Sequence, residues 1–74
     1  MMDAETFNRL YAVGTPVRAF PETQAERPRT TRTRTAAVDV QHGLTVVHVD
    51  GLVGPVDIRG IDPLPDNYPV EATP

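Results

Sequence analysis

Hydrophobic and polar residues alternate most clearly in the second half of the chain, in LTVVHVDGLVGPVDIRGIDPL. Residues 44–49 predict a strand, because the side chains of a strand point alternately to its two faces. Asp50 and Gly51 follow as a hairpin turn, since both residue types tolerate positive φ. The alternation resumes in residues 53–58 as a second strand, and residues 59–62 predict one turn of 3₁₀ helix. This half of the chain therefore predicts antiparallel β structure.

The N-terminus has a helical period instead. Residues 3–11 predict a short helix capped by Asp3, because its carboxylate can accept a hydrogen bond from the first turn. One apolar stripe follows helical spacing: Phe7, Leu10 and Tyr11. A helix this short is not stable alone, so we expect Phe7 and Leu10 to be buried against the β structure. Val46, an apolar residue on the polar face of its strand, is either covered by this stripe or exposed as a contact for a partner.

Residues 15–20 predict the first strand of the chain. Val17 and Ala19 fall on one face, and Arg18 and Phe20 fall on the other. We assign the valine and alanine to the core and expect Arg18 and Phe20 to face outward.

Residues 29–40 predict a second strand region, in which arginines alternate with small residues that favour strands. We assign the small set to the inner face: Thr31, Thr33, Thr35 and Ala37. Arg32 and Arg34 then project together into solvent, because residues two apart point the same way. The parity reverses in residues 36–38, which predicts a bulge or bend there. We expect this strand and residues 44–49 to belong to one antiparallel sheet.

Together these elements predict a mostly β fold over residues 1–65, a small SH3-like β-barrel with a short N-terminal α-helix. Residues 21–28 are polar and bounded by prolines, and we interpret them as an exposed loop comparable to the RT loop of SH3 domains. Residues 66–74 are polar and rich in proline, which predicts a flexible, disordered C-terminal tail.

Composition narrows the class of protein. The chain has 74 residues and no cysteine, so we expect one small domain without disulfides or a cysteine zinc site. No segment reaches the roughly 18 apolar residues of a membrane span, and no signal peptide is recognisable, so we expect a cytoplasmic protein with no membrane partner. The formal net charge is -3, yet four of the seven arginines fall in residues 27–34, and lysine is absent.

Several segments resemble small proteins of actinobacteria and actinobacteriophages. The segments are FN at residues 7–8, VGTPV at 13–17 and TRTRT at 31–35. The resemblance covers residues 3–65. It implies an SH3-like shape and an accessory protein of a phage or mobile element, and it supplies no catalytic residues. This chain has Val38 where the family often has an aromatic residue, which removes a stacking platform for a partner.

Catalytic chemistry has little basis in this sequence. Serine and cysteine are absent, so the usual pairs of nucleophile and base cannot form. His48 and Asp50 share a strand face, but two ligands are fewer than the three or four of a dedicated metal site. We expect no enzyme activity, no cofactor, no bound metal and no small-molecule substrate.

The arginine-rich strand is the best candidate for a binding surface. The predicted partner-binding set is Arg29, Arg32 and Arg34, with Arg18 and Phe20 on the neighbouring strand. The leading hypothesis is a protein-interaction module that contacts a host or phage protein. The alternative is nucleic-acid binding through Arg29, Arg32 and Arg34, which would weaken steeply with salt. Ten acidic residues and few aromatic residues disfavour that alternative. A third interpretation is that these arginines form only a solvated face.

Overall fold

A computed structural model of the chain describes residues 2–20, 27–41 and 43–70. Its elements are, in chain order, α1 (Ala4–Leu10), β1 (Pro16–Ala19), β2 (Arg29–Arg32), β3 (Val38–Gln41), β4 (Leu44–Val47), β5 (Val56–Asp57), a 3₁₀ turn (Ile58–Gly60) and β6 (Ile61–Pro63). The strands form two three-stranded antiparallel sheets, in the orders β2-β1-β6 and β3-β4-β5. The prediction of a mostly β fold with one short N-terminal helix is confirmed. Most of the predicted loop, residues 21–26, lies outside the described residues.

The two sheets are joined at an isolated antiparallel bridge between Thr33 and Val49. Elsewhere in the described part of the chain they remain separate and do not close into a barrel. The predicted pairing of the TRTRT segment, residues 31–35, with residues 44–49 is therefore limited to this bridge, and β2 and β4 belong to different sheets. The reason is a bend at Thr35, after which a different segment, β3, pairs along β4. The predicted change of direction exists, but it ends a strand and begins another sheet.

α1 begins where the sequence predicts. Asp3 is the N-cap, and its Oδ1 accepts a hydrogen bond from the Thr6 N–H at 2.9 Å. This bond lowers the pKa of Asp3, because it stabilises the charged carboxylate. Asn8 fixes the helix to the segment before β3. Its amide donates to the Ala37 carbonyl at 3.0 Å and accepts from the Ala37 N–H at 2.8 Å.

The buried face of α1 differs from the predicted stripe. Phe7 is buried, and the centroids of the Phe7 and Tyr11 rings are 5.1 Å apart. Leu10 is 56% exposed, so the prediction that it is buried is wrong. Ala4 and Phe7 define the inner face, and the hydrogen bonds of Asn8 turn the helix toward the Asn8 side. At about 100° per residue, Leu10 then lies roughly a quarter turn from the centre of that face.

Both sheets contribute to one contiguous core. β1 supplies Val17 and Ala19, which confirms the predicted inner face of that strand. The other buried members are Ala4, Phe7, Ala37, Val47, Val49, Leu52, Val56 and Ile61. Thr31 and Thr33 are buried as well, as their alternation predicts. Their hydroxyls are satisfied by hydrogen bonds, which a buried polar group requires.

Val46 is buried, so the hypothesis of an exposed contact at this position is wrong. It lies outside the contiguous core that contains Phe7, beside its pairing partners Val38 and Asp57. Cover by the α1 stripe is therefore not supported either.

β6 is a strand that the sequence does not predict. It follows the 3₁₀ turn at Ile58–Gly60, close to the predicted residues 59–62. β6 pairs with β1 and places Asp62 opposite Arg18. This strand is only three residues long, and it ends in proline, which has no N–H to donate. Its pattern is therefore too weak to recognise in the sequence.

Residues 66–70 belong to the predicted tail, and residues 71–74 lie outside the described residues. The Tyr68 N–H donates to the Pro65 carbonyl at 2.9 Å, which closes a turn. The Tyr68 hydroxyl accepts a hydrogen bond from the Arg18 guanidinium at 3.3 Å. This contact brings a residue from far along the chain onto β1.

Candidate protein-binding face

Three of the predicted binding residues share the outer face of the sheet β2-β1-β6. On β1, Arg18 lies opposite Thr30 of β2, and Pro16 lies opposite Arg32. Arg18 and Arg32 are therefore diagonal neighbours on one face, at a separation that long side chains can bridge. Phe20, two residues after Arg18, is 41% exposed. We call Arg18, Phe20 and Arg32, with Tyr68 beside them, the arginine face.

The guanidiniums of this face touch only neutral oxygens. Arg18 donates to the Tyr68 hydroxyl at 3.3 Å, and Arg32 donates to the Gly14 carbonyl at 3.0 Å. Each guanidinium carries five N–H donors, so one such bond leaves most of its donors for another acceptor. Both arginines are exposed.

Ion pairing at this face is absent within the part of the chain that the structure describes. The ion pair found there joins Arg59 to Asp57, with 2.6 Å between Nη2 and Oδ2. Hydrogen bonds from Arg59 lower the pKa of Asp57, since they favour its charged form. Arg18 and Arg32 form no such ion pair among the described residues, although Asp62 of β6 lies opposite Arg18 on this face.

Arg29 does not belong to the arginine face. It lies three positions before Arg32, and an odd spacing along a strand places two side chains on opposite faces. Arg29 is half-buried opposite Ala19, and its Nη1 donates to the Gly51 carbonyl at 3.2 Å. Its Nε is buried and has no hydrogen-bond partner among the residues that the structure describes. The set Arg29, Arg32 and Arg34 therefore does not form one surface.

Arg34 is exposed, as predicted, but its guanidinium is turned back onto the protein. Nε donates to the Val49 carbonyl and Nη2 to the Leu52 carbonyl, each at 3.2 Å. The two carbonyls between them also accept from side chains of β2. The Thr31 hydroxyl donates to Asp50 at 2.9 Å, and Arg29 donates to Gly51.

Side chains of the arginine-rich segment therefore bind four consecutive carbonyls, those of residues 49–52. We call these residues the clamped turn. Gly51 has a φ of +87° there, a conformation that favours glycine. Much of the TRTRT segment thus stabilises this turn, a structural role that its alternation alone does not predict.

A shallow cleft lies next to the arginine face. Its volume is about 360 Å³, and Phe20, Asp57, Arg59 and Gly60 line it. The Phe20 N–H donates to the Gly60 carbonyl at 2.8 Å. A Cβ on Gly60 would lie 2.7 Å from the Phe20 carbonyl oxygen, so only glycine fits. This close approach holds the Phe20 backbone against the 3₁₀ turn.

Within the described residues, no group of three or more histidine, aspartate or glutamate side chains is arranged to hold a metal ion. No helix in that part of the chain has both the length and the apolar character needed to cross a membrane.

Tyr68 is the residue of this face that the sequence reasoning missed. It stands in a polar, proline-rich segment, and nothing local to that segment marks it as a contact. An isolated aromatic residue among polar neighbours is the one available signal.

The chain was compared with protein-family models, with curated proteins and with solved structures, and it matches none of them.

Proposed function

We propose that this chain is a non-enzymatic protein-interaction module whose arginine face binds an acidic segment of a partner protein. The observation that carries the proposal is the state of Arg18 and Arg32. They are exposed diagonal neighbours on one face, and among the described residues they bond only to neutral oxygens.

Carboxylates suit the geometry of this face. A guanidinium presents a planar fork that matches the two oxygens of a carboxylate. Tyr68 and Gly14 each hold one guanidinium in place, which lowers the entropy lost on binding. Phe20 adds an exposed apolar surface beside the charges, so an acidic peptide with a neighbouring apolar residue would contact both.

Nucleic-acid binding through Arg29, Arg32 and Arg34 gains no support from their placement. Arg29 lies on the opposite face, and the Arg34 guanidinium donates to carbonyls of the clamped turn. A phosphate backbone needs several cations along one surface. Of the three arginines only Arg32 remains on the arginine face, where Arg18 is its one cationic neighbour.

The test compares two double variants that remove the same charge. Arg18→Ala/Arg32→Ala removes the face, and Arg9→Ala/Arg27→Ala removes two exposed arginines elsewhere. Fluorescence polarisation with a labelled glutamate-rich peptide measures the affinity. We expect the first variant to bind roughly tenfold more weakly, because two exposed charge contacts of up to about 1 kcal/mol each are lost. The second variant should bind nearly as well as the original chain.

A single-stranded oligonucleotide of equal charge is the second probe. Tighter binding of the oligonucleotide, with a steep loss between roughly 50 and 200 mM salt, would contradict the proposal in favour of nucleic acid. An equal loss in both double variants would show that net charge alone governs binding, and that result also contradicts it. Failure of the peptide to bind at millimolar concentration would do the same.

We also propose that the two sheets are the halves of an SH3-like barrel. The Thr33–Val49 bridge between the sheets, the 3₁₀ turn before the last strand and the pairing of that strand with β1 support this. Long-range NOEs between β2 and β4 beyond the bridge would agree with closure, and their absence would contradict it. A cytoplasmic role in an actinobacterium or its phage is part of the same proposal and rests on the sequence resemblance.

A further inference from the structure

β3 is an edge strand, and α1 flanks only its start, through Ala4 and Asn8. It pairs with β4 on one side, and no other strand of the described residues pairs with it. All four of its residues, Val38–Gln41, are exposed. An edge of this kind presents backbone N–H and C=O groups to which another chain can add a strand.

Asn8 shows which backbone groups face outward. Its side-chain amide both donates to and accepts from the backbone of Ala37, as a neighbouring strand would. Residues two apart in an extended strand direct their backbone groups to the same side. The N–H and C=O of Asp39 are therefore expected to point away from β4. The bond from the Thr45 hydroxyl to Asp39 agrees with this, since side chains approach closely in pairs without backbone bonds.

The side chains along this edge specify the chemistry of a partner. Val38 and Val40 are 50% and 53% exposed and flank Asp39. Oδ1 of Asp39 accepts both from the Ala4 N–H and from the Thr45 hydroxyl, whereas Oδ2 has no donor among the described residues. The groove beside the edge contains Asp3 as its other charged residue. The edge is thus apolar at two positions and negative between them.

A second copy of this chain fits the edge poorly. The outward backbone groups belong to Asp39, so a two-fold antiparallel pairing would centre on that residue. Two aspartates would then lie directly opposite each other, and like charges in that position are destabilising. Asn8 already occupies the backbone of Ala37, which blocks a shift of register in that direction.

We propose that the β3 edge accepts an extended segment of a partner protein by strand addition, with a lysine or arginine of that segment opposite Asp39. Apolar residues on either side of the basic one cover Val38 and Val40. Backbone hydrogen bonds supply affinity, and the apolar–basic–apolar pattern supplies specificity. This surface is distinct from the arginine face and selects the opposite charge.

The test is an NMR titration of the whole chain with three capped peptides. The first has the sequence Thr-Thr-Val-Arg-Val-Thr-Thr, the second has glutamate in place of arginine, and the third carries an N-methyl group on the arginine nitrogen. We expect the first to shift the amide signals of residues 38–41 in a saturable way. The glutamate peptide should bind at least roughly fivefold more weakly, and the N-methyl peptide should not bind, because it lacks the N–H that donates to Asp39.

Asp39→Asn is the matched variant, because its amide oxygen can still accept from Ala4 and Thr45 while the charge is removed. It should bind the arginine peptide roughly threefold to fivefold more weakly. Asp62→Asn, an exposed carboxylate on β6, should bind as the original chain does.

Four results of the titrations would overturn the proposal, and a fifth would come from the oligomeric state. They are no binding at millimolar concentration, equal binding of the arginine and glutamate peptides, unchanged binding after N-methylation, and shifts confined to the arginine face. A concentration-dependent dimer whose shifts map to residues 38–41 would make a second copy the occupant, and would also overturn it.

Discussion

Two pairs of arginines in this protein have the same side chain and different surroundings. Arg29 and Arg34, the turn pair, donate to carbonyls of the clamped turn. Arg18 and Arg32, the face pair, are exposed and make one bond each to a neutral oxygen. An arginine-rich strand is therefore not by itself a binding surface, because some of its arginine side chains can bond to carbonyls of the same protein.

The cause of the difference is geometric. Parity places Arg29 on the inner side of β2, where the residue 49–52 turn crosses it. Arg34 lies beyond the Thr33–Val49 bridge and reaches the same turn from the other side. Each arginine of the face pair bonds one neutral oxygen among the described residues, so most of its donors stay available.

Gly51→Ala should produce the largest effect on this comparison. At a φ of +87° an alanine costs about 1–2 kcal/mol, and its Cβ would clash with Nη1 of Arg29. The free energy of unfolding from urea denaturation should fall by about that amount. Gly54→Ala is the control, since nothing lies within 4 Å of its Cβ position. Equal stability of the two variants would show that the turn is not held as described.

Arg34→Ala should lower the free energy of unfolding by about 1 kcal/mol. It removes two hydrogen bonds to carbonyls, each worth about 0.5–1.5 kcal/mol, and exposure places them at the low end. In a domain of this size that corresponds to a fall in Tm of about 4–8 °C. A Tm that does not move would place Arg34 with the face pair.

Arg18→Ala/Arg32→Ala should leave stability nearly unchanged. Exposed substitutions away from special features usually shift it by about 0.5 kcal/mol or less, and each arginine makes a single exposed bond. Thermal melts of this double variant check the expectation. A large loss would mean that the face pair also holds the fold, and it would remove the distinction between the two pairs.

The smallest expected effect is a pH dependence of stability. It distinguishes the ion pair of Arg59 and Asp57 from the bonds that Arg34 makes to carbonyls. Arg59 lowers the pKa of Asp57 below its ordinary 3.8. A lowered pKa contributes stability above the unfolded pKa, and the contribution is lost as pH falls through the folded value. Asp57→Asn should therefore be less stable than the original chain at pH 7, and the difference should shrink below about pH 4.

The loss caused by Arg34→Ala should instead stay constant over this range, because both of its bonds go to backbone carbonyls and involve no carboxylate. Melts of both variants at several pH values would reveal any departure. A difference for Asp57→Asn that persists in acid would show that charge is not its cause.

Several features of this fold depend on neighbours in the sequence, and these could be predicted. Asp3 caps α1 because its carboxylate reaches an N–H three residues away. Thr31 and Thr33 face inward because a strand alternates, and the positive φ of Gly51 follows from the Asp-Gly pair. In each case the deciding interaction spans a few residues, so composition and spacing contain it.

Other features depend on residues that are distant in the chain, and these features could not be predicted from the sequence. Leu10 is exposed because Asn8 bonds to Ala37, 29 positions away, and thereby fixes the rotation of the helix. The contact between Arg18 and Tyr68 spans 50 positions.

The residue pattern alone is enough for the short helix, the alternation of the strands and the cationic character of β2. It also places a turn at residues 50–51, but the predicted tight hairpin between strands 44–49 and 53–58 is wrong, because β4 and β5 pair through Val47 and Val56 and residues 48–55 connect them. The division into two sheets, the pairing of β6 with β1 and the acceptor of each guanidinium are visible only in the tertiary structure. An arginine side chain bonds whichever carbonyl or hydroxyl lies within its reach, and the long-range packing of the chain decides which oxygen that is.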